Sequence, residues 1–299
     1  MFPMKPTALQ RERKTNVKVV GPDGLSVVLR LYAEHVRLDL HRASCIGCQL
    51  CGLACPRDAV SVRLQDGRLV VDIDEKACDL CEVCIAFCPT DALSMEQNGT
   101  PKDVLRAHGG MPAPRRKVVI DAQACPDGCD DCVVACPRSA LSMDSGALDV
   151  DESACLRCPY CADACPQHAI TVGPLFEGDV VIATDRCPAD CTDCVEFCPT
   201  GALAKTDGVL RLDQRHCVLC GACANACGEA AVVVRRTSAY HGEGFSAAYT
   251  RAIERLTSGR ATRELLDARA FERTLGAFRK SQRLPDPPAR PAQMPESDR

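Results

Sequence analysis

The sequence of 299 residues predicts an α+β fold: three tandem modules of two cysteine-bearing repeats each, led by an N-terminal β-hairpin and followed by a C-terminal helical tail. Three observations predict it. All 24 cysteines fall into six quartets with none left over. Short runs that alternate apolar and polar residues flank every quartet, which is the period of a half-buried strand. After the sixth quartet the apolar period lengthens to that of a helix.

Taken in order, residues 15–40, TNVKVVGPDGLSVVLRLYAEHVRLDL, alternate around Gly-Pro-Asp-Gly and are predicted as a hairpin within an N-terminal extension, 1–44. The quartets follow. They are Cys45, Cys48, Cys51 and Cys55; Cys78, Cys81, Cys84 and Cys88; Cys125, Cys129, Cys132 and Cys136; Cys155, Cys158, Cys161 and Cys165; Cys187, Cys191, Cys194 and Cys198; and Cys217, Cys220, Cys223 and Cys227. Four are spaced C-x2-C-x2-C-x3-C, while the third and fifth carry one extra residue in the first loop. Runs such as VRLDL, LVVDID and KVVID precede the quartets, and DAVSV, DALSM and HAITV follow them. Each repeat therefore reads as strand, cysteine loop, short helix, strand.

Gaps suggest how the repeats pair. Eighteen residues separate Cys136 from Cys155 and Cys198 from Cys217, and 22 separate Cys55 from Cys78, whereas 36 separate Cys88 from Cys125. The predicted modules are 45–97, 118–173 and 174–236, with a Pro/Gly-rich linker at 98–117. A nested pairing, one module inserted in another, stays open. The helical tail is predicted at 237–281, from a stripe of Phe245, Ala248, Tyr249, Ala252, Ile253 and Leu256 and a second of Leu265, Ala268, Phe271, Leu275 and Phe278. It packs either on the chain's own modules or into a partner. Residues 282–299 read as disordered.

Composition narrows the chemistry. With no Trp and 4% aromatic residues the chain cannot bury much apolar area, so ligation must help hold it together. Residues 1–20 lack the apolar core of an export signal, and no run approaches a membrane span. The thiols are thus expected to bind metal in a reducing cytoplasm rather than form disulfides. Counting 24 thiolates against six oxidised cubane cores takes the formal charge of −4 to roughly −16. Such a surface disfavours nucleic acid, and protein partners are expected.

The motif is specific. Structural zinc prefers two separated C-x2-C knuckles, not a tight triplet with a fourth cysteine before proline. The C-x3-C-x2-C triplets at Cys125 and Cys187 are those of radical enzymes that bind S-adenosylmethionine at an open iron. A catalytic role there would need a large barrel, and the next quartet begins within 20 residues. The extra residue, beside Pro126 or Pro188, is read as a bulged turn. His41, His168 and His216 are expected at the surface rather than as ligands, and Asp79, Glu82, Asp130, Asp131, Asp193 and Glu196 are expected in solvent. Gly228 replaces the proline of the other quartets; it is either neutral variation in a terminal repeat or the sign of an exposed docking site.

Each pair of quartets resembles a bacterial two-cluster ferredoxin, over about Cys45 to Val234. That resemblance implies six [4Fe-4S] clusters, with the fourth cysteine of each quartet ligating its partner's cluster. Under sequential pairing the sets are Cys45, Cys48, Cys51 with Cys88; Cys78, Cys81, Cys84 with Cys55; Cys125, Cys129, Cys132 with Cys165; Cys155, Cys158, Cys161 with Cys136; Cys187, Cys191, Cys194 with Cys227; and Cys217, Cys220, Cys223 with Cys198. CPDGCDDC, CPADCTDC, YAEHVRLDLHRASCIGC and SAAYTRAIERL are similar to the polyferredoxin subunits of formylmethanofuran dehydrogenase complexes. The resemblance implies a non-catalytic carrier of low-potential electrons between oxidoreductase subunits. A free-standing soluble carrier and, less well supported, a radical enzyme are the alternatives.

Overall fold

A computed structural model of the chain describes residues 16–102, 104–107, 118–126, 128–144, 147–173, 175–239 and 246–258, all within one unit, Met1–Thr262. The predicted second tail helix, the end at 282–299 and residues 108–117 of the predicted linker lie outside the described residues.

The chain enters through β1 (Asn16–Val20), β2 (Gly24–Arg30) and β3 (His35–His41), an antiparallel meander. Leu25, Val27 and Leu29 alternate along β2 and stand opposite Leu40, Leu38 and Val36 of β3. All six are at most 7% exposed, and each such burial stabilises by about 1.5–3 kcal/mol. At Gly24 the strands approach so closely that a Cβ would lie 1.8 Å from the Leu40 carbonyl oxygen, which only glycine avoids. Past the first cysteine loop come α1 (Leu50–Ala54) and the hairpin of β4 (Val60–Gln65) and β5 (Arg68–Ile73). It turns over Asp66-Gly67, both at positive φ as a two-residue hairpin turn requires. After the second loop, α2 (Val83–Ala86) leads into β6 (Leu93–Gln97), then β7 (Thr100–Pro101) and α3 (Val104–Ala107). The sheet runs β1-β2-β3-β6-β7.

The second module repeats the plan with β8 (Val118–Ile120), α4 (Asp131–Val134), β9 (Leu141–Asp144), β10 (Ala147–Val150), α5 (Tyr160–Ala164) and β11 (Ile170–Val172). The third comprises β12 (Phe176–Ile182), α6 (Asp193–Glu196), β13 (Leu203–Thr206), β14 (Val209–Leu212), α7 (Ala222–Ala226) and β15 (Val232–Ala239). In each module the strand entering the first repeat pairs with the strand leaving the second: β3 with β6, β8 with β11, β12 with β15. The middle strands pair as hairpins. Repeats therefore share sheets in sequence order, and their short helices pack together, α1 on α2, α4 on α5, α6 on α7.

The apolar cores are uneven. The first module's core joins the β2–β3 wall to Val60, Val71, Ile73, Leu93 and Met95. The second module centres on Cys132, Leu141 and Ile170, with half-buried valines around them. So thin a centre leaves most of its stability to whatever binds the cysteines.

The last described element, α8 (Ala247–Leu256), starts at an N-cap, Ser246, whose Oγ accepts from the Tyr249 amide at 3.2 Å. Its apolar stripe of Tyr249, Ala252, Ile253 and Leu256 is buried on α1. Tyr249 stacks on Phe87, ring centroids 5.6 Å apart. Arg255 donates to the Cys55 carbonyl oxygen and lies 3.8 Å from Asp58. Of the two fates considered for this stripe, the described helix packs on its own chain. Among the described residues no helix is long and apolar enough to cross a membrane.

Candidate metal centres

The cysteine loops curl because specific residues take left-handed backbone. In four quartets the residue before the second cysteine does so: Gly47, Leu80, Arg157 and Leu219. Gln49, Glu82 and Gly221 repeat it just after the second cysteine. Successive amides then turn inward as an anion-binding nest. The amides of Gly47, Leu80, Arg157 and Ala222 point at the sulfurs of Cys45, Cys78, Cys155 and Cys220, and the Leu219 amide reaches Cys217 Sγ at 3.4 Å. In the two longer loops the extra residue closes a turn, with the Cys129 amide donating to Pro126 and the Cys191 amide to Pro188.

A further repeat lies four residues beyond each fourth cysteine, where every quartet has alanine: Ala59, Ala92, Ala140, Ala169, Ala202 and Ala231. All are buried. Five of these amides donate to the fourth sulfur at 3.2–3.4 Å: Ala59 to Cys55, Ala92 to Cys88, Ala140 to Cys136, Ala169 to Cys165 and Ala231 to Cys227. The residue between, at Asp58, Asp91, Ser139, His168, Gly201 and Ala230, is left-handed each time.

The fourth sulfur of each quartet lies beside the triplet of its partner quartet. Burial pushes the Cys45 thiol up, and the Cys88 sulfur adds to the shift. Cys78 is raised to about 11 by burial, with Cys55 beside it, and Cys161 to about 12 by burial, then by Cys158, Cys155 and Cys136. Cys132 feels Cys125, Cys129 and Cys165, while Cys194, raised to about 11 by burial, feels Cys227, Cys187 and Cys191. Cys220 is raised to about 11 by burial, with Cys217 and Cys198 beside it. One pocket is lined by Cys45, Cys48, Cys51 and Cys88, and another by Cys198, Cys217, Cys220 and Cys223. The triplets at Cys125 and Cys187 thus each have a fourth sulfur at hand, which does not favour an iron left open for catalysis.

These residues fit an iron–sulfur cage. The donors are soft thiols, the linings are largely apolar, and amides point at the sulfurs. A single tetrahedral zinc would need thiolates about 3.8 Å apart; among the described residues no three His, Cys, Asp or Glu side chains converge on one ion. Four sulfurs spread around a cavity suit a cluster with several irons between them.

Two sequence expectations change. Glu82 is not in solvent: it is 5% exposed, 3.7 Å from Lys102, and accepts from the Leu105 amide at 3.0 Å. Its left-handed backbone turns the carboxylate inward toward α3. His216 is half-buried rather than free at the surface: its ring stacks on Tyr160 with centroids 3.6 Å apart, and its nitrogens lie 3.0 Å from Asp163 and 2.6 Å from Asp213. It thus joins the second module to the third. At the sixth loop the reading of Gly228 as neutral variation fits the structure, although Gly228 itself is exposed. Leu219, Ala222, Cys223 and Ala226 are buried, and Asn225 Nδ2 donates to the Gly47 carbonyl of the first loop at 2.8 Å. A Cβ at Gly228 would meet open space, so the change from proline is neutral sterically.

Families described as 4Fe-4S dicluster domains match residues 39–95, 117–166 and 154–202. The chain carries 4Fe-4S dicluster domains. The last match joins the fourth and fifth quartets, whereas the strands pair the fifth with the sixth. Quartets this alike fit a two-quartet pattern in either phase, and it is the sheet that decides the pairing. Among curated proteins, 88 residues are 34% identical to the polyferredoxin protein MvhB of Methanothermobacter marburgensis, covering 26% of this chain and 20% of that one. The thiosulfate reductase electron transfer subunit PhsB of Salmonella typhi is 37% identical over 67 residues, 20% of this chain and 33% of its own. A tetrathionate reductase subunit from Archaeoglobus fulgidus is 34% identical over 89 residues, 26% and 43% of the two chains. This chain thus spans under half the length of these three relatives. In fold it is similar to a chain of the formate dehydrogenase–heterodisulfide reductase–formylmethanofuran dehydrogenase complex from Methanospirillum hungatei. That likeness has TM-score 0.74 and 25% identity and covers 82% of this chain and 92% of the other. The dicluster-domain chain therefore resembles polyferredoxins and reductase electron-transfer subunits.

Proposed function

We propose that the chain is a non-catalytic electron relay, holding six [4Fe-4S] clusters with its 24 cysteines in the crossed sets given above. The observation that carries this reading is the convergence of three sulfurs from one quartet with the fourth of its partner, seen in the cavity lined by Cys45, Cys48, Cys51 and Cys88. Crossing ties two sites into each module and keeps them at short range. A bound cluster supplies one-electron storage at each site. The chain's part is to hold it by four thiolates, aim amide dipoles at the sulfurs and exclude water with the apolar lining.

The relay serves oxidoreductase partners in a reducing cytoplasm, in a complex of the formylmethanofuran dehydrogenase kind. The fold likeness to a chain of such an assembly supports this. A free-standing soluble carrier is the second reading, favoured by α8 spending its apolar stripe on its own chain. Purification under strict anaerobiosis tests both. About 24 irons and 24 sulfides per chain and a paramagnetic signal on dithionite reduction are expected, and zinc in their place would refute the reading. Co-purification with oxidoreductase subunits from native cells selects the relay; a lone monomer selects the free carrier.

A further inference from the structure

We propose that Arg236 is a charge bridge shared by the first and sixth sites, and that electrons cross there between the first and third modules. This rests on the cluster assignment above. Arg236 is 3% exposed. Its Nε donates to the Leu219 carbonyl at 2.8 Å and its Nη2 to the Cys220 carbonyl at 2.7 Å, and its guanidinium lies 5.3 Å from the centre of the Phe176 ring. Among the described residues no carboxylate pairs with it. Arg157, by contrast, pairs with Glu152, and Arg255 lies 3.8 Å from Asp58.

A guanidinium stays protonated in proteins, and an interior cation without counter-charge is costly. Among the described residues, groups near Arg236 that can supply negative charge include the sulfurs of Cys220, Cys48, Cys223 and Cys217. Three belong to the sixth site and Cys48 to the first. The two loops meet at Gly221, where φ is +94° and a Cβ would fall 2.9 Å from Arg236 Nη2 and 3.4 Å from the Cys48 carbonyl oxygen. A side chain there would push the guanidinium from between them. The Asn225–Gly47 bond locks the same junction across 178 positions of sequence.

The consequence is electrostatic. A fixed positive charge favours the reduced, more negative state of each neighbouring site and raises both potentials. Thr90 and Thr200 act in the same sense: their hydroxyls lie 3.9 Å from Cys88 Sγ and 3.7 Å from Cys198 Sγ, the fourth sulfurs of these same two sites. The exchange moves one electron, oxidising one site and reducing the other, with no bond made or broken. The hop order is therefore not the order of the repeats, because the first module hands on to the third.

Potentiometric titration of the anaerobically loaded full chain, followed by electron paramagnetic resonance, tests this. In Arg236→Gln two couples should become harder to reduce by on the order of tenfold, or 59 mV for one electron, with four unmoved. Arg236→Lys should keep both near wild type. No shift, a shift in one couple only, or an equal shift in all would overturn the bridge. Should Arg236→Gln lose iron, Cys45→Ser and Cys217→Ser provide the second measurement. Each should abolish the same spin–spin splitting between one pair of reduced sites, and survival of that splitting in either overturns the crossing. A wild-type chain with no reducible iron–sulfur signal would instead refute the proposed function itself.

Discussion

Tyr249→Ala is expected to release α8 from the first module. The ring is 1% exposed and stacked on Phe87. A buried tyrosine removes about 150–250 Å² from water, which at ~25 cal/mol/Å² and net of the remaining alanine gives about 3–4 kcal/mol, within the usual range for truncating a buried aromatic. A helix of 10 residues does not persist alone, so the loss falls on its docking. The open population should rise by roughly two to three orders of magnitude. Hydrogen exchange on the anaerobically loaded chain reads this at the amides of Thr250 and Thr257, which bond to Ser246 and Ile253. Arg251→Ala, on the exposed face, should stay within about 0.5 kcal/mol of wild type. Unchanged protection in Tyr249→Ala, or equal acceleration in Arg251→Ala, would refute the view that this stripe holds the helix.

Other outcomes follow from the sites. Cys88→Ser should lower iron from about 24 to about 20 per chain and remove the resonance component that Cys45→Ser removes, not the one that Cys78→Ser removes. Ala231→Leu should cost about 1–3 kcal/mol by overpacking behind Cys227, read as a lower urea midpoint together with iron loss from the Cys187 triplet. Thr90→Val and Thr200→Val should each lower one potential by roughly 20–60 mV, the redox equivalent of a net hydrogen bond of about 0.5–1.5 kcal/mol; titration of each variant checks it.

What the sequence could reveal depended on distance along the chain. The quartets, their flanking strands and the α8 stripe are local patterns whose spacing is itself the cause of the structure, so they could be read directly. Glu82 and His216 could not, because what surrounds them is brought in by α3 and by the second module. Two signals were present yet silent. Alanine recurs four residues after every fourth cysteine, as a strand pressed against a sulfur demands. In VVVRRTSA, alternation puts Arg236 on the inward row with Val232 and Val234; a charge in that row announces an interior partner. That the partner lies on the first loop is a tertiary fact that no local pattern encodes.

The crossed ligands also bear on biogenesis. A ribosome-bound chain that has exposed only Cys45, Cys48, Cys51 and Cys55 has all four thiols of one repeat but no complete crossed set, because Cys88 has yet to emerge. Under the proposed crossed assignment, both cages of a module are expected to be inserted together, once its second half has emerged. Nascent chains stalled before Cys78 should capture no cubane, and those stalled beyond Cys88 should capture two.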